Sequence, residues 1–158
     1  MQQETSSAVE ARLADLGHTL PAVALPVAAY VPATITGNLV YTSGQLPFIN
    51  GELTASGKVG AAVTAEAAAE LAQVCALNAL AAIKGVIGDL DRIVRVVKVV
   101  GFVSSDPSFT GQPAVINGAS EFLGAVLGEK GVHARSAVGV AALPLDAPVE
   151  VELIVEFA

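Results

Sequence analysis

Ala134-Arg135-Ser136-Ala137-Val138-Gly139-Val140 leads through Leu143-Pro144 and Ala147-Pro148 into Val149-Glu150-Val151-Glu152-Leu153-Ile154-Val155-Glu156-Phe157. In the second run Val149, Val151, Leu153 and Val155 alternate with Glu150, Glu152, Ile154 and Glu156, the period of two that marks a strand with one buried and one polar face. The first run is small and β-branched over Arg135–Leu143, so the chain closes on two strands. Each carries a charge in an apolar setting. A guanidinium fits a carboxylate through two parallel N–H bonds, so Arg135 could anchor an acidic metabolite. By pattern alone an isolated arginine is more often a surface ion-pair residue, and Glu150 and Glu152 a solvated strand face.

Working outward, Ile93 to Val103 is dense in valine on both alternations, which predicts a central strand covered on two faces. Before it, Leu71, Val74, Leu77, Leu80, Ile83 and Ile87 recur every three or four residues and predict a helix from Thr64 to Gly85–Gly88. After it, Pro113 fits a first helical turn, and Val115, Ile116, Ala119, Phe122, Leu123, Val126 and Leu127 give the apolar stripe up to Gly128. Thr36-Gly37-Asn38 between Tyr30–Ile35 and Leu39–Ser43 reads as a hairpin turn, and Asn50-Gly51 to Lys58-Val59-Gly60 as a polar loop. Ser7-Ala8-Val9-Glu10 has capping-box spacing, Val9, Leu13 and Leu16 follow in helical step, and Gly17 supplies a stop. Pro21 and Pro26 then imply an extended connector. The expected organisation is an N-terminal helix and connector over 1–27 and a main domain over 28–158. The expected architecture is α+β, a mixed sheet with two main helices on one face.

Composition narrows the function. The chain has 158 residues, the size of one domain. Its apolar content of 53% with only 15% charge implies surface hidden between subunits. The apolar runs are interrupted by Glu66, Glu70, Gln73, Asn78 and Lys84, so no membrane span of about 20 residues is expected. The polar, acidic start lacks the features of a secretory signal, and a cytoplasmic location is expected. A net charge of −7 and few aromatic residues argue against nucleic acid as a partner. Cys75 is the single cysteine and sits in an apolar helical run, the place of a small buried hydrophobe. His18 and His133 are far apart, no zinc-type spacing exists, and neither a metal nor a cofactor is expected.

Val40-Tyr41-Thr42-Ser43-Gly44-Gln45-Leu46-Pro47, taken with Ala134-Arg135-Ser136 and Val149-Glu150-Val151-Glu152 in that order, resembles the reactive-intermediate deaminase (Rid, or YjgF-type) family over residues 28–157. Some members of that family were named as endoribonucleases. The resemblance implies a chorismate mutase-like fold and a homotrimer with clefts between subunits. It implies hydrolysis of reactive enamines or imines of the 2-aminoacrylate type to 2-oxo acids and ammonia, without a cofactor. Residue by residue, the carboxylate-binding arginine falls on Arg135 and the water-positioning glutamate on Glu150. Tyr30 and Gly44 match substrate-site positions, as does Asn117 in the second helix, and Ala137 stands where many members have cysteine. Main-chain N–H and C=O groups at Ala137 survive that change, whereas a thiol role does not. Ala29-Tyr30 replaces Pro-Tyr, and His133 replaces a proline two residues before the arginine. A noncatalytic module for small 2-oxo or amino acid carboxylates, and an endoribonuclease, are the competing readings.

If the last two strands pair across the Pro144–Pro148 connection, Arg135 lies roughly 23 Å along the sheet from the level of Glu150, which falls near Ala142. One chain would then not place both in a small pocket, and the site would be shared between subunits.

Overall fold

The computed structural model describes residues 7–23 and 29–158. Its elements are α1 (Ala8–Asp15), β1 (Ala33–Thr36), β2 (Leu39–Thr42), β3 (Phe48–Ile49), β4 (Glu52–Leu53), α2 (Ala65–Ile87), β5 (Ile93–Ser104), α3 (Gln112–Leu127), β6 (Ala134–Val140) and β7 (Val149–Phe157). Five strands form one mixed sheet in the order β1-β2-β7-β5-β6. β5 and β6 run parallel across the α3 crossover, and the other pairings are antiparallel. This is the expected α+β architecture, with α2 and α3 packed on one face.

Local chemistry sets the helix ends. Thr64 caps α2 by accepting the Ala67 N–H, a bond whose loss costs about 1 kcal/mol, and Gly88 at φ 82° ends the helix. At 23 residues α2 is long and apolar enough to span a bilayer, contrary to the expectation from its polar interruptions. In the fold it is the core helix: Leu71, Cys75, Leu80 and Ile83 are buried beneath the sheet and α3. The Cys75 thiol, 3.8 Å from the Val149 carbonyl, is pushed up in pKa by burial and, secondarily, by Glu150. α3 carries Pro113 in its first turn and crosses α2 where Gly118 meets Ala69, leaving no room for a Cβ against the Ala69 carbonyl.

Ser7 caps α1 through the Glu10 N–H. Glu10 does not reciprocate as a capping box would, because its carboxylate pairs with Lys84. The Asp91 carboxylate takes the Ala8 and Val9 N–H groups, so α1 is pinned at its start to the turn that precedes β5. Arg12 and His18 then tie it to α3 and α2 through the Ala125 carbonyl and Gln73. α1 therefore lies outside the helix layer, away from the sheet. Pro26 lies outside the described residues.

The sequence expectation differs from the structure at four further points. The segment after Asn50 is not all loop: Asn50 (φ 51°) and Gly51 (φ 80°) turn a small β3–β4 hairpin. β1 starts at Ala33 rather than Tyr30, and β6 stops at Val140 rather than Leu143. β5 is interior, but the middle strand is β7. The second face of β5 is not covered by the described residues. Val96, Val99 and Val103 are buried under the helices, whereas Lys98, Val100 and Phe102 share a partly exposed open face with Ile154, Glu152 and Glu150.

Candidate active site

The β6 side of the sheet holds Arg135. Gly101 of β5 pairs with Ala137, and a Cβ on Gly101 would drive into Ile116, so α3 settles close onto the sheet above β6. One residue and about one turn along α3 from that contact, Asn117 and Ser120 meet the guanidinium. Arg135 Nη1 donates to Asn117 Oδ1 at 2.7 Å and to Ser120 Oγ at 3.2 Å. No acceptor among the described residues takes the Nε or Nη2 protons, so that edge keeps a bidentate fork. Ser120 Oγ lies 2.8 Å from His133 Nε2, and His133 Nδ1 lies 2.6 Å from the Gly131 carbonyl.

The β2–β7 side holds the other candidates. Thr42 Oγ1 accepts the Leu153 N–H at 3.0 Å, and pairing resumes only at Gln45, which exchanges two backbone bonds with Val151. The chain bulges between them at Ser43-Gly44. A Cβ on Gly44 would collide with Glu150 Oε1, so glycine at this position is what gives the carboxylate its place. Ser43 donates its hydroxyl to the Val31 carbonyl, which holds the exposed Tyr30 one residue from that contact. Burial, and then the neighbouring Glu152, raise the Glu150 pKa from its ordinary value. Among the described residues, no N–H, O–H or cation reaches this carboxylate. A half-buried carboxylate without donors has its lone pairs open to a proton.

These clusters do not meet in one chain. β6 and β7 are not neighbours, because β5 runs between them; Arg135 pairs with Val99, and Glu150 with Phe102, which is also level with Val138. The register expected from direct pairing is therefore wrong. The offset is three residues and two strand spacings, roughly 14 Å in all rather than 23 Å along the sheet. The stronger separation is between faces: Val99 is buried under the helices while Phe102 lies on the open face, so Arg135 and Glu150 project to opposite sides. Arg135 gathers Asn117 with Ala137 one alternation along the same face, and Glu150 gathers Gly44 with Tyr30 nearby. A concavity of about 570 Å³ between α1, residues 18–23 and α2 holds none of the candidates. Among the described residues no three His, Cys, Asp or Glu side chains converge as a metal site would require. Sequence reasoning missed Ser120, although its place three residues after Asn117 puts both on one helical face.

A mixed sheet backed by two helices, with an arginine anchored from the second of them and a half-buried carboxylate on the open face, defines the class. The sequence model of the family described as "YjgF/chorismate mutase-like, putative endoribonuclease" matches residues 10–157, and the chain belongs to that family. It is 45% identical to Protein TCP17 of Trypanosoma cruzi over 157 residues, covering 99% of this chain and 98% of the relative. A crystal structure of an Agrobacterium tumefaciens protein of unknown function is 50% identical, with a TM-score of 0.90 over 96% of this chain and 93% of that one. Escherichia coli TdcF, crystallised with bound serine, is 25% identical, with a TM-score of 0.62 over 89% of this chain and 97% of that one.

Proposed function

We propose that the protein is a hydrolytic deaminase of small carboxylate-bearing imines, acting as a homotrimer in which Arg135 of one subunit faces Glu150 of the next. The observation that carries this reading is the guanidinium. Asn117 and Ser120 hold one of its nitrogens and leave the opposite edge set to grip a carboxylate. The serine in TdcF carries such a group, which supports a ligand of this kind. The uncovered sheet face supports assembly, because Val100, Phe102 and Ile154 gain cover when copies pack there.

In this mechanism 2-aminoacrylate, as its imine tautomer, binds with its carboxylate on Arg135. Main-chain groups at Gly44 and Ala137 orient the nitrogen, and Tyr30 borders the cleft. Glu150 takes a proton from water as the oxygen adds to the imine carbon, then returns it to nitrogen, and ammonia leaves from the carbinolamine to give the 2-oxo acid. A raised carboxyl pKa makes Glu150 a stronger base for the first of these transfers. No residue has to form a covalent bond. Such imines already hydrolyse in water, so positioning is most of what the protein supplies.

A dehydratase that generates 2-aminoacrylate in situ, coupled to pyruvate detection, tests this reading. Wild type should accelerate pyruvate release, and Arg135→Ala should abolish the acceleration. Equal rates for the two, at matched folding, would refute it. Arg135-dependent binding of 2-oxobutyrate without turnover would instead favour a noncatalytic carboxylate module. RNA cleavage has less support, since His133 is engaged with Ser120 and Gly131 and no second histidine stands beside it.

A further inference from the structure

We infer that His133 is a positioning residue for Arg135, acting through Ser120, an assignment that rests on the carboxylate-anchoring role proposed above. The acceptors around the ring set the direction of each proton. The Gly131 carbonyl can only accept, so His133 Nδ1 at 2.6 Å must carry the hydrogen between them. In the neutral ring Nε2 is then a bare acceptor, and the one hydrogen of Ser120 turns toward it over 2.8 Å. That commits the Ser120 hydroxyl as donor to the histidine and leaves its lone pairs for Arg135 Nη1 at 3.2 Å. With Asn117 Oδ1 at 2.7 Å taking the second Nη1 hydrogen, that nitrogen is fully used and the guanidinium plane is fixed. The free edge formed by Nε and Nη2 is presented at a defined angle.

The ring itself is held from behind. Gly131 ends the short turn after α3, and its Cα packs so closely on the Leu123 carbonyl that no Cβ fits there. The acceptor for Nδ1 is thereby tied to α3, which also carries Asn117 and Ser120. One helix thus supplies every fixed point around the arginine. Were His133 replaced by a side chain unable to accept, the Ser120 hydrogen would be free to rotate toward Arg135 and repel it.

The direct test is spectroscopic and independent of turnover. Long-range proton–nitrogen spectra of the full-length protein at neutral pH should show His133 with protonated Nδ1 and bare Nε2. The Nη1 protons of Arg135 should be resolved by hindered rotation in wild type and averaged in Ser120→Ala. In the pyruvate assay, Ser120→Ala and His133→Phe should each raise KM about fivefold with kcat within about twofold, since one hydrogen bond that orients a binding group is lost. His133→Gln, whose amide can donate at one end and accept at the other, should recover most of the loss. An Nε2-protonated ring in wild type, or an unchanged KM in both Ser120→Ala and His133→Phe, would overturn the assignment. No turnover by wild type would refute the deaminase reading instead, and the ring tautomer and the Arg135 signals would still decide this one.

Discussion

Two inactive variants should restore each other when mixed. Arg135 and Glu150 stand on opposite faces of one sheet, offset by three residues and two strands. A carboxylate held by the guanidinium sits about 2.8 Å from it, and a base acting on the attacking water reaches roughly 3 Å further. Those reaches cannot bridge roughly 14 Å through a packed sheet. If both residues act on one substrate they must come from different subunits. Arg135→Ala should lower kcat/KM on the order of a hundredfold by removing a charged bidentate contact, and Glu150→Gln should lower kcat on the order of a hundredfold by removing the base. In a 1:1 mixture allowed to exchange subunits, an intact site needs an arginine from a Glu150→Gln subunit beside a glutamate from an Arg135→Ala subunit. Random assembly makes that pairing in about one quarter of sites, so the mixture should recover about one quarter of wild-type activity. The assay is pyruvate release after denaturation and joint refolding, with native mass spectrometry to verify species at three times the 15.9 kDa chain mass. Mixed trimers with no activity beyond the sum of the parents would refute the shared site.

Other consequences follow from single contacts. Gly44→Ala should fold with little loss of melting temperature, because the colliding atoms belong to the flexible Glu150 side chain, yet it should cut kcat about tenfold or more by displacing the carboxylate. Gly118→Ala should cost about 1–3 kcal/mol in denaturant unfolding, because its Cβ meets the Ala69 backbone, which cannot swing away. Asp91→Ala should cost about 1 kcal/mol by uncapping α1 and leave deaminase activity unchanged, since α1 touches neither half-site. Glu150→Gln should be more thermostable than wild type at neutral pH. A glutamate whose folded pKa is raised contributes its stability below the unfolded value and loses it as pH rises through the folded one, so the difference should vanish toward acid, a trend read from melting curves across pH.

Much of the fold is written locally. Thr64, Gly88, Pro113 and Gly128 punctuate α2 and α3 as their sequence positions imply, and the valine–glutamate alternation gives β7 its buried and open faces. The β3–β4 hairpin was legible in principle from Asn50-Gly51, but its two-residue strands are too short for a period-two pattern to register. Strand order is a different kind of fact. Nothing in the alternation of β6 or β7 says that β5 lies between them; that follows from the parallel crossover through α3, which requires β6 to join the free edge of β5. The valines of β5 imply cover on both faces, yet the described residues cover one; an apolar strand face does not say whether a helix or a second copy would cover it. Resemblance points to Arg135 and Glu150, whereas the Ser120–His133 contact has no signal in the sequence, because it depends on where Gly131 places its carbonyl.

The open face links stability to catalysis. Val100, Phe102, Val138 and Ile154 lie there among Glu150, Glu152 and Lys98, and Val138 is 45% exposed. Such a surface is too apolar to favour water and too charged for a closed core. Packing copies together would cover the valines, but it would also desolvate Glu150, whose pKa is already raised in the single chain. Assembly therefore has a cost at Glu150 that a bound guanidinium from the next subunit, or the developing positive charge on a bound imine, would offset. A ligand whose carboxylate is held by Arg135 of one subunit and whose other end meets the next would bridge the two, so carboxylate ligands should tighten a trimer built this way, and its dissociation should weaken ligand binding by the same factor. Sedimentation with and without 2-oxobutyrate measures both sides of that coupling, and identical association constants in the two conditions would sever it.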